Sequence, residues 1–172
     1  VTDCTAVKIR AEDGRSIQNT DISLFVHELP DGKNAADFVT PDASGSTSQA
    51  ANVVESIEAG ASLLLMDEDT SATNFMVRDA LMQRVVPRAM EPITPFLDRV
   101  RELYDRYGIS TVIVAGSSGA YFHVADRVIQ MDRYVPRDIT ALAKREAERV
   151  PLFSTALGPG RPPKWNRRPK PS

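Results

Sequence analysis

The sequence predicts an α/β protein in which helices flank a largely parallel sheet. Two short apolar runs, at 62–66 (SLLLM) and 109–115 (ISTVIVA), are typical of buried strands, and amphipathic helical patterns lie between them. This alternation is typical of βαβ units, in which a helix crosses over between parallel strands. The chain has 172 residues, 42% hydrophobic and 26% charged, which suits one domain of an ordinary globular protein.

The first part of the chain is predicted to supply two strands and two helices. Its opening elements are a strand at 5–9, a turn at Asp13–Gly14, a short helix at 21–29 and a polar loop at 29–42. Ser44 is the predicted N-cap of a longer helix, which Gly60 ends. The apolar run that follows, 62–66, predicts a strand covered on both faces.

The second part is predicted to contain three more helices and two more buried strands. In order these are a helix at 73–86 stopped by Pro87, an amphipathic helix over 97–107 closed by Gly108, strands at 109–115 and 127–131, and a charged helix at 138–149. Asp138 lies near the N-terminus of the last helix, where the helix dipole favours a negative charge.

The charge of the chain is unevenly distributed. The net charge is −2, yet residues 161–172 contain five basic residues and no acidic one, which leaves −7 on the other 160 residues. Four prolines in the same segment exclude helix and central strand. We therefore expect a folded domain at 1–157 and a disordered basic tail at 158–172. A solvated chain end and a weak nucleic-acid-binding segment are both open interpretations of that tail.

Several classes of protein are excluded by the sequence. No run approaches the ~18 apolar residues that a membrane-spanning helix needs, and the N-terminal residues do not resemble a signal peptide. Cys4 is the only cysteine, which excludes a disulfide framework and a cysteine metal cluster. We therefore expect a cytoplasmic protein. Because the chain does not begin with Met, we also expect it to be a piece of a longer one.

The strongest chemical signal is the pair Asp67–Glu68, which directly follows an apolar strand. In a parallel sheet this places both carboxylates at the carboxyl edge, where open α/β folds bind their ligands. Acidic residues also follow strands simply because loops are solvated. The neighbouring segments give the pair more weight, because Ser44–Gly45–Ser46 opens a helix before it and 69–74 (DTSATN) follows it.

These segments resemble motifs of the ABC class of P-loop ATPases. Ser44–Gly45–Ser46 resembles the signature motif, 63–68 resembles the Walker B strand with its catalytic glutamate, and 70–72 with Asn74 resembles the D-loop. Nineteen residues separate Thr47 from Asp67, which fits the helix between signature and Walker B. A wider set of segments resembles the bacterial predicted ATPases of the ABC class over 1–138: RAEDGRSI, DASGSTSQAAN, LLLMDEDTSATNFM, VIVAGSSGAYF and ADRVIQMD.

The sequence departs from the common ABC pattern at four places. Thr47 replaces the glutamine of the signature, Asp69 replaces the proline after the catalytic glutamate, and Asn74 stands where an aspartate is usual. The switch histidine is missing, and a loop at 116–119 (GSSG) occupies its place. Ser117 falls near the switch position, where a hydroxyl can donate a hydrogen bond to phosphate but cannot carry a proton as imidazole does.

The resemblance implies hydrolysis of ATP, with Mg²⁺ as cofactor, at the interface of a homodimer. Asp67 would hold Mg²⁺, Glu68 would activate the attacking water, and Ser117 would contact the γ-phosphate. Ser44, Gly45 and Ser46 would clamp the γ-phosphate of a nucleotide bound to the other subunit, and Asn74 would couple the two sites. No membrane partner is implied.

One family motif is missing from the sequence. No G-x-x-x-x-G-K-[ST] occurs, and the family carries this phosphate loop upstream of the strand at 5–9. We therefore expect the chain to be the C-terminal part of a nucleotide-binding domain, inactive in isolation. We expect the strand of the phosphate loop to lie mid-sheet, next to the strands at 63–66 and 111–114. The alternatives are a non-catalytic interaction module and a nucleic-acid-binding protein that acts through its tail.

Overall fold

The computed structural model of the chain describes residues 4–27, 29, 32, 34–86, 90–152 and 160. Its strands are β1 (Ala6–Ile9), β2 (Ile17–Thr20), β3 (Phe38–Thr40), β4 (Leu63–Asp67), β5 (Ser110–Val114), β6 (Ile129–Asp132) and β7 (Val135–Asp138). Its α-helices are α1 (Gly45–Glu58), α2 (Thr73–Met76), α3 (Ala80–Val85), α4 (Phe96–Tyr107) and α5 (Thr140–Arg149). Among these residues, no helix has both the length and the apolar character needed to cross a bilayer.

The central sheet has three parallel strands in the order β1-β4-β5, which confirms the predicted α/β class. Leu64 in β4 lies opposite Val7 on one side and Thr111 on the other. Because β4 and β5 pair directly, no strand can stand between them. The expectation of a further strand next to both was wrong: β4 has both edges occupied, and among the described strands β5 is bonded to β4 alone.

The helices that begin or end at strong capping residues are the ones that the sequence predicted well. The Ser44 side chain accepts the N–H of Thr47, and α1 ends just before Gly60, which has φ of 95°. Helix α4 ends at Gly108, which is left-handed with φ of 67°. Helix α5 begins at Thr140, two residues later than predicted, because Asp138 is the last residue of β7; the Asp138 side chain accepts the N–H of Thr140.

Two elements before α1 differ from prediction. Residues 21–29 were expected to be helical, but the described part forms a turn at Ser23–Phe25 and a bridge from Val26 to Ile93. The carboxylate of Asp21 accepts both the N–H and the hydroxyl of Ser23, and this local bonding competes with a helix. The expected loop at 29–42 contains a 3-10 turn and β3, which pairs antiparallel with β2.

The single helix predicted at 73–86 is two short helices, α2 and α3. The break lies at 77–79, where Asp79 adopts an extended conformation and caps α3 by accepting the N–H groups of Leu81 and Met82. Periodicity alone did not reveal the break, because the apolar positions of the two helices remain in a helical pattern. Pro87, which was predicted to stop the helix, lies outside the described residues.

Three predicted buried strands are less buried than expected. Leu65 in β4 is 37% exposed, and Val112 and Val114 in β5 are 53% and 63% exposed. The run at 127–131 is no part of the parallel sheet, since β6 pairs antiparallel with β7 in an exposed hairpin. The hairpin turns at Arg133 and Tyr134, both with positive φ, and neither is a usual residue for such a turn.

The core lies between the inner face of the sheet and the helices. Its centre is a cluster of three aromatic rings, with centroids 5.1–6.1 Å apart, from Phe25, Phe75 and Phe96. Of the predicted basic tail only Gly160 is described; it is buried, and its N–H donates to the Glu102 carboxylate. The rest of the tail lies outside the described residues, so its disorder and its binding to nucleic acid stay predictions.

Candidate active site

The carboxyl end of β4 carries the two predicted acidic residues into one tight loop. Asp67 is the last residue of the strand, and Glu68 begins a 3-10 turn that ends at Thr70. The Asp67 side chain accepts a hydrogen bond from the N–H of Asp69 at 3.2 Å. The backbone carbonyl of Asp67 accepts one from the Ser71 hydroxyl at 2.8 Å. The loop is therefore fixed by its own polar groups, and the two carboxylates have different partners.

Glu68 contacts the loop that follows β5. Its Oε2 accepts the backbone N–H groups of Gly116 at 2.7 Å, Ser117 at 2.9 Å and Ser118 at 3.4 Å. Its Oε1 accepts the Ser117 hydroxyl at 2.6 Å. Successive N–H groups that converge in this way form an anion-binding nest. The structure thus brings together Glu68 and Ser117, two predicted site residues that are 49 positions apart in the sequence.

These hydrogen bonds stabilise the charged form of Glu68. The Ser117 hydroxyl, followed by the N–H groups of the same loop, lowers the pKa of Glu68 to about 2, although partial burial acts in the opposite direction. The side chain is therefore a carboxylate at any physiological pH. While all four donors hold it, it is a poor acceptor for a further proton.

The N-terminus of α1 lies at the same end of the sheet. Ser48 in its first turn accepts the N–H of Glu12, which follows β1. Ser44 is exposed and acts as the N-cap, whereas Ser46 is buried and lies 3.4 Å from the Ser44 hydroxyl. The structure thus places Ser44 and Gly45 at this end of the sheet. Little of the Ser46 side chain is accessible to solvent.

Two residues of this region were missed by sequence reasoning. A Cβ on Gly45 would lie 3.2 Å from Oδ1 of Asp13, so a carboxylate from the β1–β2 turn approaches the helix start closely. Gln49 is buried in α1 and bonded to the loop after β4. The sequence signal for Gln49 was a polar residue among the apolar positions of a helix. Asp13 was marked only as part of a turn, and nothing in the sequence indicated its contact with the start of α1.

Asn74 lies in α2, on the exposed surface. Among the described residues, no hydrogen bond joins its side chain to Asp67, Glu68 or Ser117. The structure therefore leaves Asn74 apart from the Glu68–Ser117 pair.

The carboxylates at this edge could bind a magnesium ion only together with ligands from other groups. No cluster of three or more His, Cys, Asp or Glu side chains occurs in the part of the chain that the structure describes. Mg²⁺ commonly takes one or two protein carboxylates and completes its shell with phosphate oxygens and waters. The half-exposed carboxylate of Asp67 fits that use, with one oxygen engaged by Asp69 and the other available.

A small cavity adjoins Glu68. It has a volume of about 20 Å³ and is lined by residues that include Ile113, Ser118 and Tyr121. This is room for about one water molecule and far too little for a nucleotide. The cavity itself therefore cannot hold a nucleotide.

Comparison with known proteins gives the family of the chain. Residues 1–157 match the model of the P-loop domain of ABC ATPases. Over 114 residues, 65% of the chain, the sequence is 32% identical to the uncharacterized protein MJ1628 of Methanocaldococcus jannaschii. The chain spans about a quarter of the length of that relative. With a parallel sheet and a family match over most of its length, the chain belongs to the ABC ATPase P-loop domain family.

Proposed function

We propose that the chain supplies the signature and Walker B half of a site that hydrolyses MgATP to ADP and phosphate. The observation that carries the proposal is the Glu68 carboxylate, held at the carboxyl edge of the sheet by the loop after β5. In a P-loop ATPase fold this edge is where nucleotide binds. Both groups at the edge, a carboxylate and a ring of N–H donors, are the kinds that phosphoryl transfer requires.

In this proposal Glu68 is the general base for the attacking water. While the loop at 116–118 holds both carboxylate oxygens, the low pKa makes the side chain a weak base. The γ-phosphate is itself an anion, and its oxygens can replace the carboxylate at the same N–H groups. The arrival of nucleotide would then free Glu68 to accept a proton and leave Ser117 as a donor to the phosphate.

Asp67 is the proposed protein ligand of Mg²⁺. The ion, when bound, neutralises charge on the phosphate oxygens. The protein's part is to hold one carboxylate at the strand end, and the Asp69 N–H fixes the orientation of that carboxylate. The Ser71 hydroxyl, bonded to the Asp67 carbonyl, stabilises the same turn.

The signature residues are proposed to act across a homodimer interface. Ser44 is exposed at the N-terminus of a 14-residue helix, and the half-exposed Gly45 follows it. Such a terminus favours phosphate oxygens. Ser44, Gly45 and Ser46 would thus clamp the γ-phosphate held by a second copy, and Asn74 would couple the two sites.

The phosphate loop is proposed to lie in another part of a longer protein. The sequence lacks G-x-x-x-x-G-K-[ST], and the chain matches about a quarter of its archaeal relative. Within the described residues β5 pairs with β4 alone, and its other edge is a place where a further parallel strand can join the sheet. The chain alone is therefore expected to be inactive, and the complete protein is proposed to act in the cytoplasm.

The proposal is tested with Glu68→Gln in the complete protein. The variant should bind MgATP about as well as wild type and lose 10²–10⁴-fold in turnover, roughly the contribution of a general base. Nucleotide binding is measured by calorimetric titration, and turnover is measured as phosphate release.

The matched control is Glu148→Gln, the same change on an exposed residue of α5. It should hydrolyse ATP like wild type. If Glu68→Gln keeps turnover within a few-fold of wild type, Glu68 is not the base. If the wild-type protein binds MgATP without hydrolysing it, the chain is a non-catalytic interaction module instead.

A further inference from the structure

The side chain of Gln49 is a fully buried amide in the first turns of α1, with 0% of its surface exposed. Its Oε1 accepts the N–H of Ala72 at 2.8 Å, and its Nε2 donates to the Ser71 hydroxyl at 2.9 Å. The same Nε2 lies 3.7 Å from the Met76 sulfur. Both ends of the carboxamide thus hold the loop that follows the Asp67–Glu68 carboxylates.

Ser71 extends this contact to the strand that bears the carboxylates. Its hydroxyl accepts from Gln49 and donates to the Asp67 carbonyl at 2.8 Å. Its backbone N–H donates to the Glu68 carbonyl at 3.2 Å and closes the turn. A continuous path of hydrogen bonds therefore runs from the interior of α1 to the backbone of Asp67 and Glu68.

The other end of the path is the start of α1. Gln49 lies five residues after the cap residue Ser44 in the same continuous helix, so the two move together as one rigid element. We infer that Gln49 is a positioning residue that fixes the N-terminal turn of α1 relative to Asp67 and Glu68. The inference rests on the proposed function, in which the start of α1 acts on the nucleotide of the second copy, whereas Asp67 and Glu68 act on the nucleotide of their own subunit.

Packing alone does not account for a glutamine at this position. Methionine has nearly the same length and would fill the same space among apolar neighbours. It would, however, leave the Ala72 N–H without its acceptor and the Ser71 hydroxyl without its donor. A buried amide is tolerated in a core only when its polar atoms are paired, and here the pairing joins two functional segments.

The test is Gln49→Met in the complete protein. Misplacing reacting groups by about 1 Å costs up to about 10²-fold in rate, so kcat for MgATP hydrolysis should fall about 10- to 100-fold. Gln49 is fully buried and is not among the residues proposed to contact the nucleotide, so KM for MgATP should change by less than about threefold. Gln130→Met, on the exposed strand β6, is the matched control and should leave both constants unchanged. An unchanged kcat in a folded Gln49→Met variant overturns the inference.

A second variant separates positioning from general destabilisation. Ser71→Ala is a small change at a half-buried site, and it should lower kcat in the same way if Gln49 acts through Ser71. The double variant should then be no slower than the slower single variant, because both changes break one path. Effects on kcat that multiply, with thermal melts unchanged, would show that the two residues act independently and would contradict the path.

Hydrogen exchange tests the path without relying on catalysis. In Gln49→Met the Ala72 amide should exchange at least about tenfold faster, while the Val53 amide in the interior of α1 should keep its wild-type rate. If the wild-type protein does not hydrolyse ATP, the proposed function fails, yet selective acceleration at Ala72 still supports the positioning contact. Equal acceleration at both amides would show that Gln49 only stabilises the fold, and no change at Ala72 would show that it does not hold the loop.

Discussion

At the scale of single residues, the pKa of Glu68 is lowered by four donors from one short loop. Three are backbone N–H groups, which among substitutions only proline removes, and the fourth is the Ser117 hydroxyl. Hydrogen bonds to the charged form of a carboxyl group favour that form. While these donors hold it, Glu68 is therefore a weak base, and its carboxylate stabilises the loop.

Ser117→Ala should raise the pKa of Glu68 from about 2 towards its ordinary value of 4.5. The pKa should not reach that value, because the N–H groups of Gly116, Ser117 and Ser118 remain. The measurement is a carboxyl-carbon NMR titration of Glu68. Ser118→Ala is the control, since residue 118 contacts the carboxylate through its backbone, and its titration should match wild type.

The same contact predicts a pH dependence of stability. The folded-state pKa of Glu68 is lowered, so its stabilising contribution is complete above the unfolded value of about 4.5 and is lost as the pH falls towards 2. Over this window the free energy of unfolding should fall less in Ser117→Ala than in wild type. The reason is that in the variant the pKa values of Glu68 in the folded and unfolded states lie closer together. Denaturant unfolding at several pH values between 2 and 5 measures the difference, and parallel curves would contradict it.

At the scale of elements, the exposed start of α1 is the surface proposed to close on a second copy. Ser44→Arg should leave MgATP binding to one subunit unchanged and abolish ATP-dependent dimerisation, because a cationic side chain would fill the space of a phosphate oxygen. Size-exclusion chromatography with ATP, on a Glu68→Gln background, gives the oligomeric state. Gln130→Arg, which adds the same cation on the exposed strand β6, is the control and should dimerise with ATP like wild type. A dimer that persists with arginine at 44 would contradict the trans arrangement.

The elements that could be predicted are those whose ends are marked in the sequence. Ser44 and Gly60 bound α1, and Gly108 closes α4, so capping chemistry and periodicity agreed. The missed elements depend on local bonding that periodicity does not report. Asp79 interrupts one helical pattern by capping a second helix, and Arg133 opens the turn of a hairpin without the usual Asn or Gly.

The sequence predicts individual candidate residues for the site but not the contacts between them. The sequence singled out Glu68 and Ser117 separately, through a resemblance to family motifs. Their contact depends on the parallel pairing of β4 with β5, which brings the ends of two distant strands together. Gln49 was missed because its partners, Ser71 and Ala72, are more than 20 residues away, and only the packing of α1 on that loop places them in reach.

At the scale of the whole molecule, the two faces of the parallel sheet differ. Side chains alternate along a strand, so one face of β4 and β5 carries Leu64 and Ile113 into the core. The opposite face carries Leu65, Val112 and Val114, all partly exposed. This apolar face lies beside the edge of β5 that no described strand pairs with, and such a surface favours association. The 172-residue chain by itself is therefore expected to self-associate through this face.

Replacing Val112 and Val114 together by threonine should weaken that self-association. Threonine keeps the β-branched shape that a strand favours, while each hydroxyl adds a cost to burial against another apolar surface. Together the two changes should cost roughly 1–2 kcal/mol of association, or about tenfold in the dissociation constant. Sedimentation equilibrium of the 172-residue chain measures this, and a thermal melt checks the fold. Val135→Thr, on the hairpin strand β7 with a similar 54% exposure, is the control. A parent chain that stays monomeric, or equal weakening by the Val135 variant, would show that this face does not drive association.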